Sequence, residues 1–463
     1  MVKNKRASWS GSVAFVLAAS ASAVGLGNLW RFPYLAAKYG GGVFIAVYLI
    51  LSLTLGFTLL VTEIALGRYS RQSQLTAFRQ LGHPRWNFLG VLSTIVPLFI
   101  LPYYNVIGGW VVKYFTAYVR TVAGGGGIDN PQEFFESFIS APWDPFVCMV
   151  AFTLVTCAVI VIGVKNGIEK SNLLMMPLLL LMACGIAVYV ATLPGAAAGM
   201  KFYLIPDFSS CDNIGKVVLG AMGQMFYSLS LAMGIMITYG SYMRRCDSVP
   251  KASVRIVAAD TFVAVLSGFM IIPVVVMFAA ASGDARSIDA GPGLMFVTLP
   301  KVFASLGSAG LWIGFLFFVL VLFAALTSAI SMTEACVASV CDFFRIGRVK
   351  AVFAVCVWSV ALGSLSAFGY GRWAAFKPCA MPALEFFDAA MNVLTPVVAA
   401  LICVFAGWVL LPKRILAECR RDGSAVGFKL FYVVMVRFVA PVLVLAILIS
   451  EVCRIFGIGG WAI

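Results

Sequence analysis

Residues Ala23–Tyr34 read AVGLGNLWRFPY. They sit inside an apolar stretch near 11 to 37, where an uninterrupted membrane helix would carry hydrocarbon and little else. Gly25 and Gly27 each cost a helix nearly 1 kcal/mol relative to Ala. An ionisable group such as Arg31 costs on the order of 3 kcal/mol or more within a bilayer unless it is solvated or paired. The string therefore marks either a break in the first span or, on the plainer reading, a place where another helix packs close on small residues. A broken helix exposes amide donors on one half and carbonyl acceptors on the other. Those ends suit the two poles of an amino acid and the cations that accompany it.

Working outward, the 463 residues are 62% hydrophobic and 11% charged, with mean hydropathy +1.00, whereas a soluble domain carries about 25% charged residues. Lipid requires every backbone group to be paired within a helix or a closed barrel, and the runs lack the alternation of barrel strands. Runs of about 20 apolar residues place further spans near 42–67, 88–119, 146–163, 171–192, 214–242, 254–281, 308–340, 351–368, 383–411 and 430–456, which makes eleven. On these boundaries the segments on the N-terminal side of the membrane hold 21 of the 33 Lys and Arg but only five acids, Glu169, Asp247, Asp342, Glu418 and Asp422. The positive-inside rule then puts the N-terminus in the cytoplasm and the C-terminus outside, and assigns the net charge of +14 to topology rather than to an acidic partner or nucleic acid.

The first apolar stretch lacks a small-residue cleavage pattern and is expected to stay as a helix. Most of the twelve Cys fall within spans (Cys148, Cys157, Cys184, Cys336, Cys356, Cys403) and act as small apolar residues. No CxxC pattern occurs, His83 is the one histidine, and a Cys211–Cys379 disulfide has no support in the spacing. Redox or metal catalysis has no residues to work with, and no nucleophile–base pair lies within a span.

Span 6 supplies a second irregularity, GQMFYSLSLAMG over Gly223–Gly234, five spans after the first. Two disrupted spans so placed are the signature of inverted five-helix repeats with a site at their interface. The expected division is 1–192 for the first repeat (spans 1–5), 193–411 for the inverted second repeat (spans 6–10), and 412–463 for a cytoplasmic loop and span 11. Span 3 offers Tyr103 and Tyr104, and span 8 offers FAALTSAIS over Phe323–Ser331, with adjacent hydroxyls at Thr327 and Ser328. Hydroxyl, amide, carboxylate and carbonyl oxygens are what a hard alkali cation requires. The remaining polar residues within spans are Asn28, Glu63, Asp260, Glu334 and Asp388.

AVGLGNLWRFPY with Gly40-Gly41-Gly42, SLSLAMG, FAALTS and the loop GPGLMFVTLP from residue 291 to 300 together resemble the neurotransmitter:sodium symporter family, in its bacterial amino-acid, leucine-transporter-like branch. The resemblance covers nearly the whole chain. It implies an all-α polytopic protein of a bacterial cytoplasmic membrane, with the leucine-transporter fold and unwound helices 1 and 6. The implied activity is sodium-coupled symport by alternating access. One sodium site would use the carbonyls of Ala21, Val24 and Ala324 with the hydroxyls of Thr327 and Ser328. The other would use the Ala23 carbonyl, Asn28, Ser228 and Asp260, completed by the substrate carboxylate. That carboxylate would also meet the amides of Leu26 and Gly27 and the Tyr104 hydroxyl, with the amine facing carbonyls near Ala23, Tyr227 and Ser228. The implied side-chain pocket is Ile100, Tyr104, Tyr227, Ser230, Met233, Ser328 and Met332. It carries no charge, so acidic and basic amino acids are expected to be poor substrates, and its methionines adapt to an aliphatic or an aromatic group.

The family's chloride-dependent members place a hydroxyl where this chain has Ala264, and many have Asn in place of Asp260. Here the negative charge is built in, and chloride independence is expected. At the outer gate the resemblance pairs Arg31 with an acid on helix 10, but alignment puts Met391 at that acid's place, with Asp388 one turn earlier. Either Asp388 substitutes or the gate closes without an ion pair. The inner gate would use Arg6, Trp9, Tyr242 and Asp342, with Glu63 bracing the unwound part of helix 6. Gly167 and Pro177 resemble a motif at which family members unwind. The rival function is a sodium-dependent amino-acid sensor or channel without concentrative transport, and a membrane enzyme is the third reading. No obligate protein partner is evident.

Overall fold

The computed structural model describes residues 7–208, 213–282, 292–423 and 427–456. Helix dominates, and the only ladder contact among the described residues is an isolated antiparallel bridge between Gly41 and Pro206. The first span is a bent pair, α1a (Ser12–Ala23) and α1b (Gly27–Lys38), whose axes differ by 53°. The next four spans are continuous: α2 (Gly42–Ser70), α3 (Asn87–Val122), α4 (Asp144–Ile162) and α5 (Val164–Thr192). The sixth is again two pieces, α6a (Ile214–Ser228) and α6b (Ile235–Ser241). There follow α7 (Val249–Ser282), α8 (Gly307–Phe344), α9 (Arg348–Ala367), α10 (Ala383–Val409) and α11 (Lys429–Ile455). Nine of these are individually long and apolar enough to cross a membrane, the α1 pair counts as a tenth, and the two short halves of α6 lie where the sequence places the remaining span. The loop end at Gly291 and the Cys211 side of the suggested disulfide lie outside the described residues, and Cys379 is an exposed free thiol.

Burial sorts the helices into layers. The most apolar windows of α3 and α8 are 78% and 72% buried, whereas those of α5, α9 and α11 are 33% buried and lie at the periphery. The two long central helices pack on each other more extensively than any other pair, with Tyr114 and Phe318 stacked at 5.1 Å between ring centres. Small residues permit the closest approach elsewhere: a side chain at Gly67 or Gly240 would strike the backbone of Ile237 or Ile64, so α2 and α6b touch main chain to main chain. Gly163, at φ 105°, turns α4 into α5 in a single residue.

On the N-terminal face several of the cations read as topological are also structural. Arg68 is buried, pairs with Glu418 at 2.9 Å and donates to the Asp247 and Glu418 carbonyls, tying the end of α2 to the loop before α11. Arg244 pairs with Asp247 at 3.1 Å and donates to the Ser10 carbonyl, also at 3.1 Å.

Candidate functional site

α1a stops at Ala23 because Val24 leaves the helical region, with ψ 96°. A terminating helix leaves its last carbonyls without intrahelical partners, which at this end include Ala21 and Ala23. The glycines that follow serve close packing as well as the break: a Cβ at Gly25 would lie 2.5 Å from the Ser328 hydroxyl, and one at Gly27 would lie 2.6 Å from the Tyr227 ring. Both alternatives left open by the sequence thus hold at once. Asn28 closes the gap, donating its amide to the Gly25 carbonyl while its side-chain oxygen accepts from the Gly25 amide. In α6 the break runs over Leu229–Gly234, with Ser230, Ala232 and Gly234 at φ 52°, 61° and 67°. Glu63 on α2 is fully buried and accepts the Ala232 amide at 2.6 Å, so an acid holds the unwound segment in place.

Four helices meet at Asp260 on α7. One carboxylate oxygen accepts from Asn28 of α1b at 2.8 Å and from Ser228 of α6a at 2.7 Å; the other accepts from Tyr48 of α2 at 3.1 Å. Nothing in the sequence singles out Tyr48, since a tyrosine in an apolar span costs little and leaves no break. A second convergence lies at the Ser22 carbonyl, which accepts from Ser230 at 3.1 Å and from Ser328 at 3.2 Å, while the Ser22 hydroxyl donates to Ser331 at 2.7 Å. Ser22 also escapes a sequence reading, because hydroxyls in spans usually bond locally, while Gln224, one of the polar residues of the GQMFYSLSLAMG string, donates its amide to the Gly27 carbonyl at 3.0 Å. Thr327 does bond locally, to the Phe323 and Ala324 carbonyls of its own helix.

Between the two breaks lies a cavity of about 30 Å³ lined by Ser22, Ala23, Gly25–Asn28, Ile100, Tyr104, Tyr227, Ser228, Ser230, Met233, Ser328 and Met332. All eleven residues expected to contact substrate are in this wall. No ionisable acid or base is. The Tyr104 hydroxyl faces Ser328 and the Leu26 backbone without reaching hydrogen-bond geometry to either. The wall therefore offers backbone amides, hydroxyls and a phenol together with methionine, isoleucine and aromatic surface.

Above the cavity a vestibule of about 750 Å³ is bounded by Arg31, Tyr103, Trp110, Tyr370, Asp388 and Glu451, among others. Asp388 is held by Tyr103 at 3.1 Å and Asn392 at 2.9 Å. Arg31 instead lies over the Tyr227 ring, 5.4 Å from its centre, and no Arg31–Asp388 ion pair forms among the described residues. Arg31 and Asp388 both line this open vestibule, so both gate alternatives remain open. Below the cavity Trp9 is 2% exposed, and its amide and indole donate to the Tyr242 and Tyr239 carbonyls at 3.2 and 3.1 Å. Tyr242 donates to Glu334 at 2.7 Å, and Glu334 is paired with Arg348, which also donates to the Ile160 carbonyl at 2.7 Å. Asp342 accepts the Ser73 amide at 2.8 Å; its expected partner Arg6 lies outside the described residues. The Glu334–Arg348 pair was not foreseen because nothing in spacing links α8 to the start of α9. α5 is wound from Val164 to Thr192 with Pro177 inside it, so the Gly167–Pro177 stretch is helical here.

The chain matches the profile described as the sodium:neurotransmitter symporter family over residues 6–123 and 136–458. It is 33% identical to the uncharacterised sodium-dependent transporter YhdH of Bacillus subtilis, over 97% of this chain and 98% of that one. An uncharacterised sodium-dependent transporter of Methanocaldococcus jannaschii is 30% identical over 99% of this chain and 93% of its own length. Among solved structures, the crystal structure of MhsT in complex with L-phenylalanine superposes with a TM-score of 0.86 at 34% identity, covering 96% of this chain and 100% of that one.

Proposed function

The chain belongs to the sodium:neurotransmitter symporter family and has the leucine-transporter fold, and from that premise we propose that it takes up a hydrophobic L-amino acid, aliphatic or aromatic, together with two sodium ions. The observation that carries this reading is the Asp260 node. A buried carboxylate joins α1b, α6a and α7 beside a cavity whose wall is otherwise uncharged. One sodium ion lies at Asn28, Ser228, Asp260 and the Ala23 carbonyl and is shared with the substrate carboxylate, which also meets Leu26, Gly27 and Tyr104. The second joins α1a to α8 through Ala21, Val24, Ala324, Thr327 and Ser328. Met233, Met332, Ile100 and Tyr227 receive the side chain, and the L-phenylalanine of the MhsT complex supports an aromatic substrate.

A zwitterion is insensitive to voltage, so the cations do the work. At 100 mV and a tenfold gradient two sodium ions supply about 7 kcal/mol, enough for roughly a 10⁵-fold accumulation at full coupling. Chloride is dispensable because Asp260 provides the compensating charge and Ala264, fully buried, offers no hydroxyl. The protein works in a bacterial cytoplasmic membrane with its N-terminus inside. Its repeats are 1–192 and 193–411, a division supported by breaks in the first helix of each. The test is uptake into proteoliposomes. An inward sodium gradient is expected to concentrate phenylalanine or leucine but not lysine or glutamate, equally well in chloride and in gluconate. Equilibration without accumulation would replace the symporter with a channel or sensor, and a strict chloride requirement would remove the role given to Asp260.

A further inference from the structure

We propose that the groove between α2, α7 and α11 on the N-terminal face binds the anionic headgroup and one acyl chain of a phospholipid such as phosphatidylglycerol. Two adjoining hollows of about 330 and 190 Å³ share Phe57, Val254 and Phe428, and the Phe57 and Phe428 rings meet edge-on at 5.2 Å to form the floor. Lys251 and Arg255 line the first hollow, near the start of α7. Leu53, Val257 and Phe431 line the second, and each lies further from the N-terminal face than the shared residue beside it in sequence, Phe57, Val254 and Phe428 respectively. The groove is thus cationic at the membrane surface and hydrocarbon below it.

The two cations need an explanation. They are one turn apart on the same helix face, an arrangement that repels. Both are exposed, and neither makes a hydrogen bond or ion pair among the described residues. Of the acids on this face, Asp247 is engaged by Arg244, and Glu418 by Arg68 and Arg421. An anion from outside the chain relieves the repulsion. The apolar second hollow requires that anion to carry a hydrocarbon tail, and a phosphodiester at the surface of the leaflet meets both demands. A zwitterionic or uncharged lipid fills the slot but leaves the cations uncompensated. This inference stands apart from the transport reading, since it uses none of the residues of the central cavity.

The test is native mass spectrometry of the full-length protein in detergent with dioleoyl phosphatidylglycerol or dioleoyl phosphatidylcholine. The phosphatidylglycerol adduct is expected to dominate and to weaken roughly 30-fold in K251Q/R255Q, the Boltzmann factor for two cations at about 1 kcal/mol each. The adduct should survive in K251R/R255K and resist displacement by soluble glycerol phosphate. Equal retention of the two lipids, an unaffected glutamine variant, or displacement by glycerol phosphate would overturn the proposal. Should the glutamine variant fail to fold, photoactivatable phosphatidylglycerol on the unmodified chain decides the matter. Crosslinks within 53–57, 254–257 or 428–431 support the groove, and crosslinks only elsewhere refute it.

Discussion

The two halves of the pathway, outer and inner in the proposed orientation, are closed in different ways. Outside, a vestibule of about 750 Å³ reaches down to a single layer in which Arg31 rests on Tyr227 and Asp388 is held by Tyr103 and Asn392. Inside, Trp9 is sealed against Tyr239 and Tyr242, Ser10 is held by Glu169, and Tyr242 is fastened to a Glu334–Arg348 pair that itself reaches Ile160 on α4. The inner side is the thicker seal, and it divides the labour. The ion pair stays within α8 and α9, whereas the short segments α1a and α6b attach to it through hydrogen bonds and one indole. A permanent anchor with a releasable attachment suits an alternating cycle, because leaving a buried charge unpaired costs about 3 to 5 kcal/mol, more than releasing single hydrogen bonds.

That contrast can be broken from the inside first. Arg348→Ala leaves the fully buried Glu334 without its cation and is expected to cost about 3 to 5 kcal/mol, read as a lowered thermal unfolding midpoint of the purified protein. An unchanged midpoint would show the pair to be incidental. Trp9→Ala comes next. Removing a buried aromatic of this size costs about 3 kcal/mol, but here the loss falls on one conformation, so hydrogen exchange should quicken across 235–241 while α3 and α8 stay protected. Uniform acceleration would mean that Trp9 supports the whole fold rather than the inner seal.

The outer layer should respond less. Asp388→Asn removes the charge from the bonds made by Tyr103 and Asn392 and is expected to cost about 1 kcal/mol, seen as a modest change in substrate on-rate with stability retained. A collapse of stability would place Asp388 in the same class as Glu334. Arg31→Lys, the smallest, removes a ring contact worth about 0.5 to 1 kcal/mol at such a half-exposed position. A loss of transport comparable to that of Trp9→Ala would show that the outer closure depends on more than this stacking.

How much of this could be read from the chain alone follows from what each residue costs in lipid. Gly25, Gly27, Asn28 and Arg31 in the first span, and Ser228, Ser230 and Gly234 in the sixth, are out of place in hydrocarbon, and the breaks fall among or beside them, at 24–26 and 229–234. The burial layers do not follow from composition, since α8 and α11 share a mean hydropathy of 2.6 but are 72% and 33% buried. Nor do the partners: Tyr48 on Asp260 and Arg348 on Glu334 are residues a helix tolerates without comment, and only the packing of α2 against α7 and of α8 against α9 brings them to their acids. Asp388 is visible as an ionisable group within a span, but its partners Tyr103, on another helix, and Asn392 are not marked as such by the sequence. The lipid-facing groove escaped notice for the opposite reason, since Lys251 and Arg255 look like ordinary cytoplasmic charge.

The central claim is that Asp260 and a bound amino acid build one cation site together, and equilibrium binding tests it most directly. Labelled L-phenylalanine is titrated against the purified protein across a series of sodium concentrations, and sodium against a series of phenylalanine concentrations. Linkage requires sodium to tighten phenylalanine binding and phenylalanine to tighten sodium binding by the same factor, with both effects lost in Asp260→Ala. Phenylalanine binding of equal strength with and without sodium, or coupling that survives in Asp260→Ala, would contradict the account.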